Sequence, residues 1–193
     1  MGNFYTNIVV ACGFQSAVAD LLSELRRVAV VSPSVNGRTV VYDKECDTQN
    51  VVALSSLAAR LSERLNCPAW AVLNHDDDIL AYELYLGGVL VDEYDSTPDY
   101  FDPSQPAEPK GGDAARLAGA FGSEPALSTI EEVLRREAGG YVFAAERHKD
   151  LAEALGIPPG LACFGYNYFE AGAVPEGFGT EQFTRVPPKA HAV

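Results

Sequence analysis

The sequence predicts an α+β protein: a ferredoxin-like βαββαβ antiparallel sheet, extended by a C-terminal hairpin and followed by a helical C-terminal portion. Three observations support this prediction. Strand and helix periodicities alternate in that order through the first 95 residues, glycine-containing turns join two pairs of strand patterns, and the periodicity beyond residue 113 is helical. A chain of 193 residues with 47% hydrophobic side chains is large enough to bury a core.

The first part of the chain reads as a strand, a helix and a hairpin. A β-branched run ends before Gly13, and the next segment places Val18, Leu21, Leu22 and Leu25 on one helical stripe. Asn36-Gly37 is a hairpin turn signal between two further strands, and Pro33 favours a sheet edge for the first of these. The predicted elements are strand 6–11, helix 15–27, and strands 28–31 and 38–42.

A second helix and three more strands follow. The leucines from Leu54 to Leu65 form a helical stripe, with Asp47 or Thr48 as the expected N-cap and Cys67-Pro68 as the stop. Gly87-Gly88 is a two-residue hairpin signal between the last two strands. The predicted elements are helix 54–65 and strands 69–73, 79–86 and 89–95.

The remaining chain changes character twice. Prolines and glycines dominate residues 96–113, which we expect to be a loop, and helical patterns follow at 114–121, 128–137 and 144–155. An aromatic run at 161–169 is expected to be one more strand. The predicted organisation is a sheet domain at 1–95, the loop at 96–113, a helical portion packing on the sheet at 114–180, and a tail at 181–193.

Charge and cysteine content restrict the class of partner. The 14 basic and 27 acidic side chains give a formal net charge of −13, which disfavours nucleic acid and anionic lipid and favours a basic protein. Solubility alone is the simpler explanation of such a charge. The four cysteines lack zinc-binding spacing, and no membrane-spanning run or signal peptide is evident. We therefore expect a cytoplasmic protein with reduced thiols.

The most distinctive segment mixes acids with aromatic rings where the last strand of the sheet enters the loop. Carboxylates and ring faces both attract Lys and Arg, so this segment is predicted to be the surface that binds a basic partner. The structural alternative is that the rings hold the loop on the core while the acids face water. The predicted surface consists of Asp92, Glu93, Tyr94, Asp95, Asp99, Tyr100 and Phe101.

A second candidate site is a cation or acid/base centre around the hairpin 79–95. A regular Gly87-Gly88 turn places Glu83 opposite Asp92, and facing like charges need relief by water, a cation or a shared proton. Three consecutive acids after an imidazole provide oxygen ligands nearby, although a solvated turn is the simpler interpretation. The candidate residues are His75, Asp76, Asp78, Glu83 and Asp92.

The sequence motifs do not indicate nucleophilic catalysis or nucleotide binding. The sequence contains no G-x-S-x-G, G-x-G-x-x-G or P-loop motif, so we expect no cofactor and identify no catalytic residue. The segments Asp92 to Ser96, Tyr100-Phe101 and Gly165 to Tyr168 resemble bacterial proteins catalogued only as hypothetical, and the likeness spans most of the chain. That resemblance implies no activity.

These observations favour a non-catalytic interaction protein, similar in principle to acidic inhibitors or immunity-type proteins that neutralise a basic partner. A small-molecule or metal-dependent enzyme that uses the acidic hairpin is the alternative from a different class. A ligand-sensing regulatory module, with a cleft between the sheet and the C-terminal helices, is the third. The sequence leaves the oligomeric state open.

Overall fold

The computed structural model describes residues 2–136 and 140–188, and across them the chain is an α+β protein with an eight-stranded antiparallel sheet and seven helices. The strands are β1 Tyr5–Val10, β2 Ala29–Val31, β3 Thr39–Asp43, β4 Ala69–His75, β5 Ile79–Leu86, β6 Val89–Asp95, β7 Lys110–Gly111 and β8 Thr184–Val186. The helices are α1 Gln15–Glu24, α2 Val51–Leu65, α3 Ala114–Phe121, α4 Leu127–Arg135, α5 Ala144–Ala154, α6 Pro159–Ala162 and α7 Tyr166–Glu170.

The sheet is larger than the sequence predicts. Its strand order is β7-β6-β5-β4-β1-β3-β2-β8, and the outermost strands come from the expected loop and the expected tail. Because β8 pairs with β2 from Ala29↔Val186 to Val31↔Thr184, β2 is not an edge strand. The inference from Pro33 was therefore wrong: this proline follows the end of β2 and removes no donor from the ladder.

Two local predictions also fail. Asn50, rather than Asp47 or Thr48, caps α2, and its side chain accepts a hydrogen bond from Ala53 N at 3.0 Å. The segment 161–169 contains parts of α6 and α7 instead of a strand, because the buried rings of Tyr166 and Phe169 recur at a helical spacing of three. Residue 137 of the predicted helix 128–137 and residues 189–193 of the predicted tail lie outside the described residues.

Helices pack on both faces of the sheet, and every residue of β1, β2 and β3 is buried. Side chains alternate along β1, so that Ile8 and Val10 pack beneath α1 and α2 while Val9 packs against the helices of the C-terminal portion. All six residues of β1 are buried. This explains why the strand reads as a continuous apolar run rather than as an alternation of apolar and polar residues.

A buried polar contact joins the first strand to α5. The Tyr5 hydroxyl lies 2.8 Å from His148 Nδ1, and the His148 ring packs edge-on against Trp70, with ring centroids 5.3 Å apart. His148 is fully buried, and burial lowers the pKa of its imidazole to about 3. The native state therefore contains a neutral imidazole at this position.

We predict that His148 makes the protein acid-sensitive. The unfolded chain protonates this imidazole near its ordinary pKa of 6.5, whereas the folded chain resists protonation down to about 3. The unfolded state thus binds more protons within this window, and the free energy of unfolding falls as the pH is lowered through it, by about 1 kcal/mol per pH unit. Urea unfolding at pH 7, 6, 5 and 4 should show that the free energy of unfolding falls more steeply with decreasing pH in the wild type than in His148→Gln. Parallel pH profiles would contradict the prediction.

Candidate functional site

The hairpin of β5 and β6 contains a bulge that changes which acids face each other. Leu86 pairs with Val89 and Tyr85 with Leu90, but Leu84 then pairs with Asp92, so Val91 is the extra residue. Glu83 consequently lies opposite Glu93. The predicted pairing of Glu83 with Asp92 was wrong because it assumed an unbroken ladder.

The facing acids belong to a groove of about 490 Å³ on the α2 side of the sheet. Its apolar floor includes Ala71, Leu73 and Ala81, where β4 and β5 pair. The N-terminal turn of α2 forms one wall, and parts of the segment 98–110 line another. We call this feature the acidic groove, because its lining includes the carboxylate residues Glu83, Glu93 and Asp95.

The charges of the acidic groove are largely uncompensated. Among the described residues, none of the three carboxylates has a basic group within 4.0 Å. Lys110 is the basic residue of the described lining, opposite Asp95 in the pairing of β6 with β7. Glu83 accepts a hydrogen bond from the Tyr85 hydroxyl at 2.7 Å, and burial together with this bond raises the pKa of Tyr85 to about 12.

Aromatic side chains lie at the end of the same sheet face. His75 is two residues beyond Leu73 on β4, and its ring packs edge-on against Phe4, Tyr100 and Phe101 at centroid distances of 5.0, 6.0 and 5.3 Å. The Tyr100 hydroxyl donates a hydrogen bond to Asp78 Oδ2 at 3.3 Å. Phe101 remains 74% exposed. We call these four rings the aromatic cluster.

The predicted partner surface is divided between the two faces of the sheet. Glu93 and Asp95 line the acidic groove, Tyr100 and Phe101 belong to the aromatic cluster, and half-buried Asp99 lies in the loop between Pro98 and Tyr100. Asp92 and Tyr94 lie towards the C-terminal helices instead, because the bulge at Val91 shifts the alternation of β6 by one residue.

Tyr94 is a core residue rather than a surface residue. Only 3% of it is exposed, and its ring stacks on Tyr82 with centroids 5.2 Å apart. Its hydroxyl donates to Leu134 O at 3.1 Å and accepts from the buried Arg147 guanidinium at 2.6 Å. Asp92 Oδ2 accepts hydrogen bonds from the Tyr82 hydroxyl at 2.8 Å and from Asp113 N at 2.9 Å. Both side chains therefore connect the sheet to the segments that cover it.

The candidate metal ligands are separated in the same way. Asp76 Oδ1 accepts from Gly2 N at 2.9 Å, and Asp78 contacts Tyr100. His75 lies in the aromatic cluster, Glu83 in the acidic groove, and Asp92 on the opposite face, where it contacts Tyr82 and Asp113. Within residues 2–136 and 140–188, no three His, Cys, Asp or Glu side chains are grouped in a way that could hold a metal ion.

No protein-family model, curated protein or solved structure matches the chain. None of the helices described above is long and apolar enough to cross a membrane.

We predict that the facing acids destabilise the free protein. Glu93→Gln removes one charge from a directly opposed pair, so the free energy of unfolding at pH 7 should rise by about 0.5 kcal/mol. Glu153→Gln is the matched control, since it changes the net charge equally at an exposed position on α5, on the opposite face of the sheet. Urea unfolding of the three proteins tests this. Equal effects of the two substitutions, or a destabilised Glu93 variant, would contradict it.

Proposed function

We propose that this chain is a non-catalytic binding protein whose acidic groove holds a basic segment of a partner protein. The observation that carries the proposal is that Glu83, Glu93 and Asp95 converge on one groove with an apolar floor and have no ion-pair partner among the described residues. The formal net charge of −13 supports it, because the same sign of charge over the whole protein attracts a basic partner at long range.

The groove matches both parts of a Lys or Arg side chain, the aliphatic stem and the charged head. The aliphatic stem of such a side chain packs against apolar surface, here Ala71, Leu73 and Ala81, while its charged head stays with polar groups. A bound cation would also relieve the repulsion between Glu83 and Glu93, which face each other across the ladder. Binding therefore gains both apolar contact and the removal of an unfavourable interaction within the free protein.

The aromatic cluster offers a second contact for the same segment. Ring faces attract cations, and Asp78 adds a carboxylate beside Tyr100. Ile79 on β5 pairs with His75 of the aromatic cluster, and Glu83 of the acidic groove lies four residues further along β5. The aromatic cluster and the acidic groove are therefore separated by about 13 Å along the strand. An extended segment with two basic side chains about four residues apart would reach both.

We infer that β1 to β4 with α1 and α2 form a ferredoxin-like unit, which the antiparallel order β4-β1-β3-β2 supports. The four free cysteines support a cytoplasmic location, where thiols stay reduced. An acidic cytoplasmic protein that occupies the basic surface of a partner would act as its inhibitor or immunity-type protein.

We predict that the carboxylates of the acidic groove dominate binding of a basic peptide. The probe is a fluorescent nona-arginine, with anisotropy measured at low and at high salt. The triple variant Glu83→Gln, Glu93→Gln, Asp95→Asn should lose about tenfold in affinity, since three half-exposed charge contacts of about 0.5 kcal/mol each sum to roughly 1.5 kcal/mol.

The control for this experiment changes the net charge equally outside the groove. The triple variant Asp20→Asn, Glu153→Gln, Glu176→Gln replaces three exposed acids that do not line it, and its affinity should fall by no more than about twofold. Equal losses in the two triple variants would show that only overall charge attracts the peptide. That result, or an absence of binding at low salt, would contradict the proposal.

We predict a smaller contribution from the aromatic cluster. Phe101→Ala should weaken nona-arginine binding about threefold, because it removes a ring face that attracts cations, and should leave the melting temperature unchanged because the ring is 74% exposed. Phe14→Ala is the matched control, since Phe14 is 70% exposed at the start of α1. If both variants changed the affinity equally, the aromatic cluster would make no specific contribution to binding, and the prediction would be wrong.

A further inference from the structure

Two cysteines that are distant in sequence lie opposite each other where β1 and β4 end. The register of these strands runs to Val10↔Ala69, and it continues one step further because Ala11 N donates a hydrogen bond to Pro68 O at 3.0 Å. The next pair in this antiparallel register is Cys12 and Cys67. Both are free thiols and both are partly exposed.

The backbone geometry at this pair suits a disulfide. Since Ala11 and Pro68 occupy a hydrogen-bonded position, Cys12 and Cys67 occupy the adjacent non-hydrogen-bonded position, where opposed Cα atoms lie about 4.5 Å apart. Disulfides span Cα separations of roughly 4.4 to 6.8 Å. The two side chains also point the same way, because both pack against the core cluster beneath α1 and α2, whereas Ala11 packs against the opposite cluster.

The two thiols also lie near each other. Burial, followed by the proximity of Cys12, raises the pKa of the Cys67 thiol to about 12. Cys67 is therefore a protonated thiol at neutral pH. The other two cysteines differ in surroundings: Cys46 is buried beside Arg27, and Cys163 contacts Ala145 O on α5.

We propose that Cys12 and Cys67 form a reversible dithiol site that small organic disulfides oxidise to an intramolecular disulfide. The Cys12 thiolate attacks one sulfur of the small disulfide, which forms a mixed disulfide and releases the first small thiol. Cys67 then loses its proton to solvent and attacks Cys12 Sγ, which releases the second small thiol. The protein loses two electrons and two protons, and the small disulfide gains both to become two thiols.

The bond would connect the end of β1 to the segment between α2 and β4. The 54 intervening residues contain α1, β2, β3 and α2, so the cross-link restricts a long stretch of the unfolded chain. Because the strands are already in register, the folded sheet has to move little. We therefore expect the oxidised protein to unfold at a higher urea concentration than the reduced protein.

The test uses the full, reduced protein and oxidised glutathione as the oxidant. Intact mass spectrometry should show the loss of two hydrogens, and peptide mapping should identify a Cys12–Cys67 link, with Cys46 and Cys163 still open to maleimide after unfolding. Cys67→Ser should instead stop at a glutathione adduct on Cys12. Cys163→Ser is the matched control and should form the same disulfide as the wild type.

Three results would overturn the proposal. The first is that all four thiols of the wild type remain reduced under conditions that oxidise a control peptide with two neighbouring cysteines. The second is a disulfide that contains Cys46 or Cys163. The third is that Cys67→Ser loses two hydrogens in the same way as the wild type.

Discussion

The structure depends on burying one sheet between two helical layers of unequal extent. The C-terminal helices cover the face that carries Trp70 and Tyr82, whereas α1 and α2 are the helices of the described residues that cover the other face. The cover given by α2 ends in its first turn, where Val51 is exposed at the wall of the acidic groove. Beyond that turn, Glu93 is exposed, and Ala81, Glu83 and Asp95 are half-buried. The groove is therefore a consequence of how far the second layer reaches, and its charges lie where the cover by α2 ends.

Because of one extra residue, Val91, the acids of β6 lie on different faces of the sheet. Asp92 lies towards the C-terminal helices, and Glu93 lies towards the acidic groove. With the bulge at Val91, Asp92 accepts hydrogen bonds from Tyr82 and from the segment that enters α3, while Glu93 lines the groove. In an unbroken ladder, Glu93 would instead point at Tyr82 in the core, where a charge needs a partner. The bulge thus keeps Tyr94 buried against Arg147 and leaves the carboxylates that could meet a cation on the open face.

The hydrophobic periodicity of the sequence was sufficient to predict long elements and insufficient to predict the short strands. The limits of β5, β6 and α3 agree with the sequence prediction because each has a strong apolar pattern and clear turn residues. The strands β7 and β8 are two and three residues long, and tertiary pairing alone defines them. For the site, the mixture of acids and aromatic rings identified Glu93 and Asp95, whereas the assumed hairpin register identified Glu83 with the wrong partner. The faces of Glu93 and Asp95 depend on the bulge in β6, and the pairing of Cys12 with Cys67 depends on a register between distant segments, so neither was visible in the sequence.

We propose that the acidic groove on β5 and β6, and not the acidic surface in general, receives a basic segment. The most direct measurement is an NMR titration of isotope-labelled protein with nona-arginine, followed by mapping of the amide shift changes. We predict saturable changes confined to the residues around Glu83, Glu93 and Phe101, with α3, α4 and α5 unaffected. Changes spread evenly over the acidic surface, or centred on the C-terminal helices, would contradict the account.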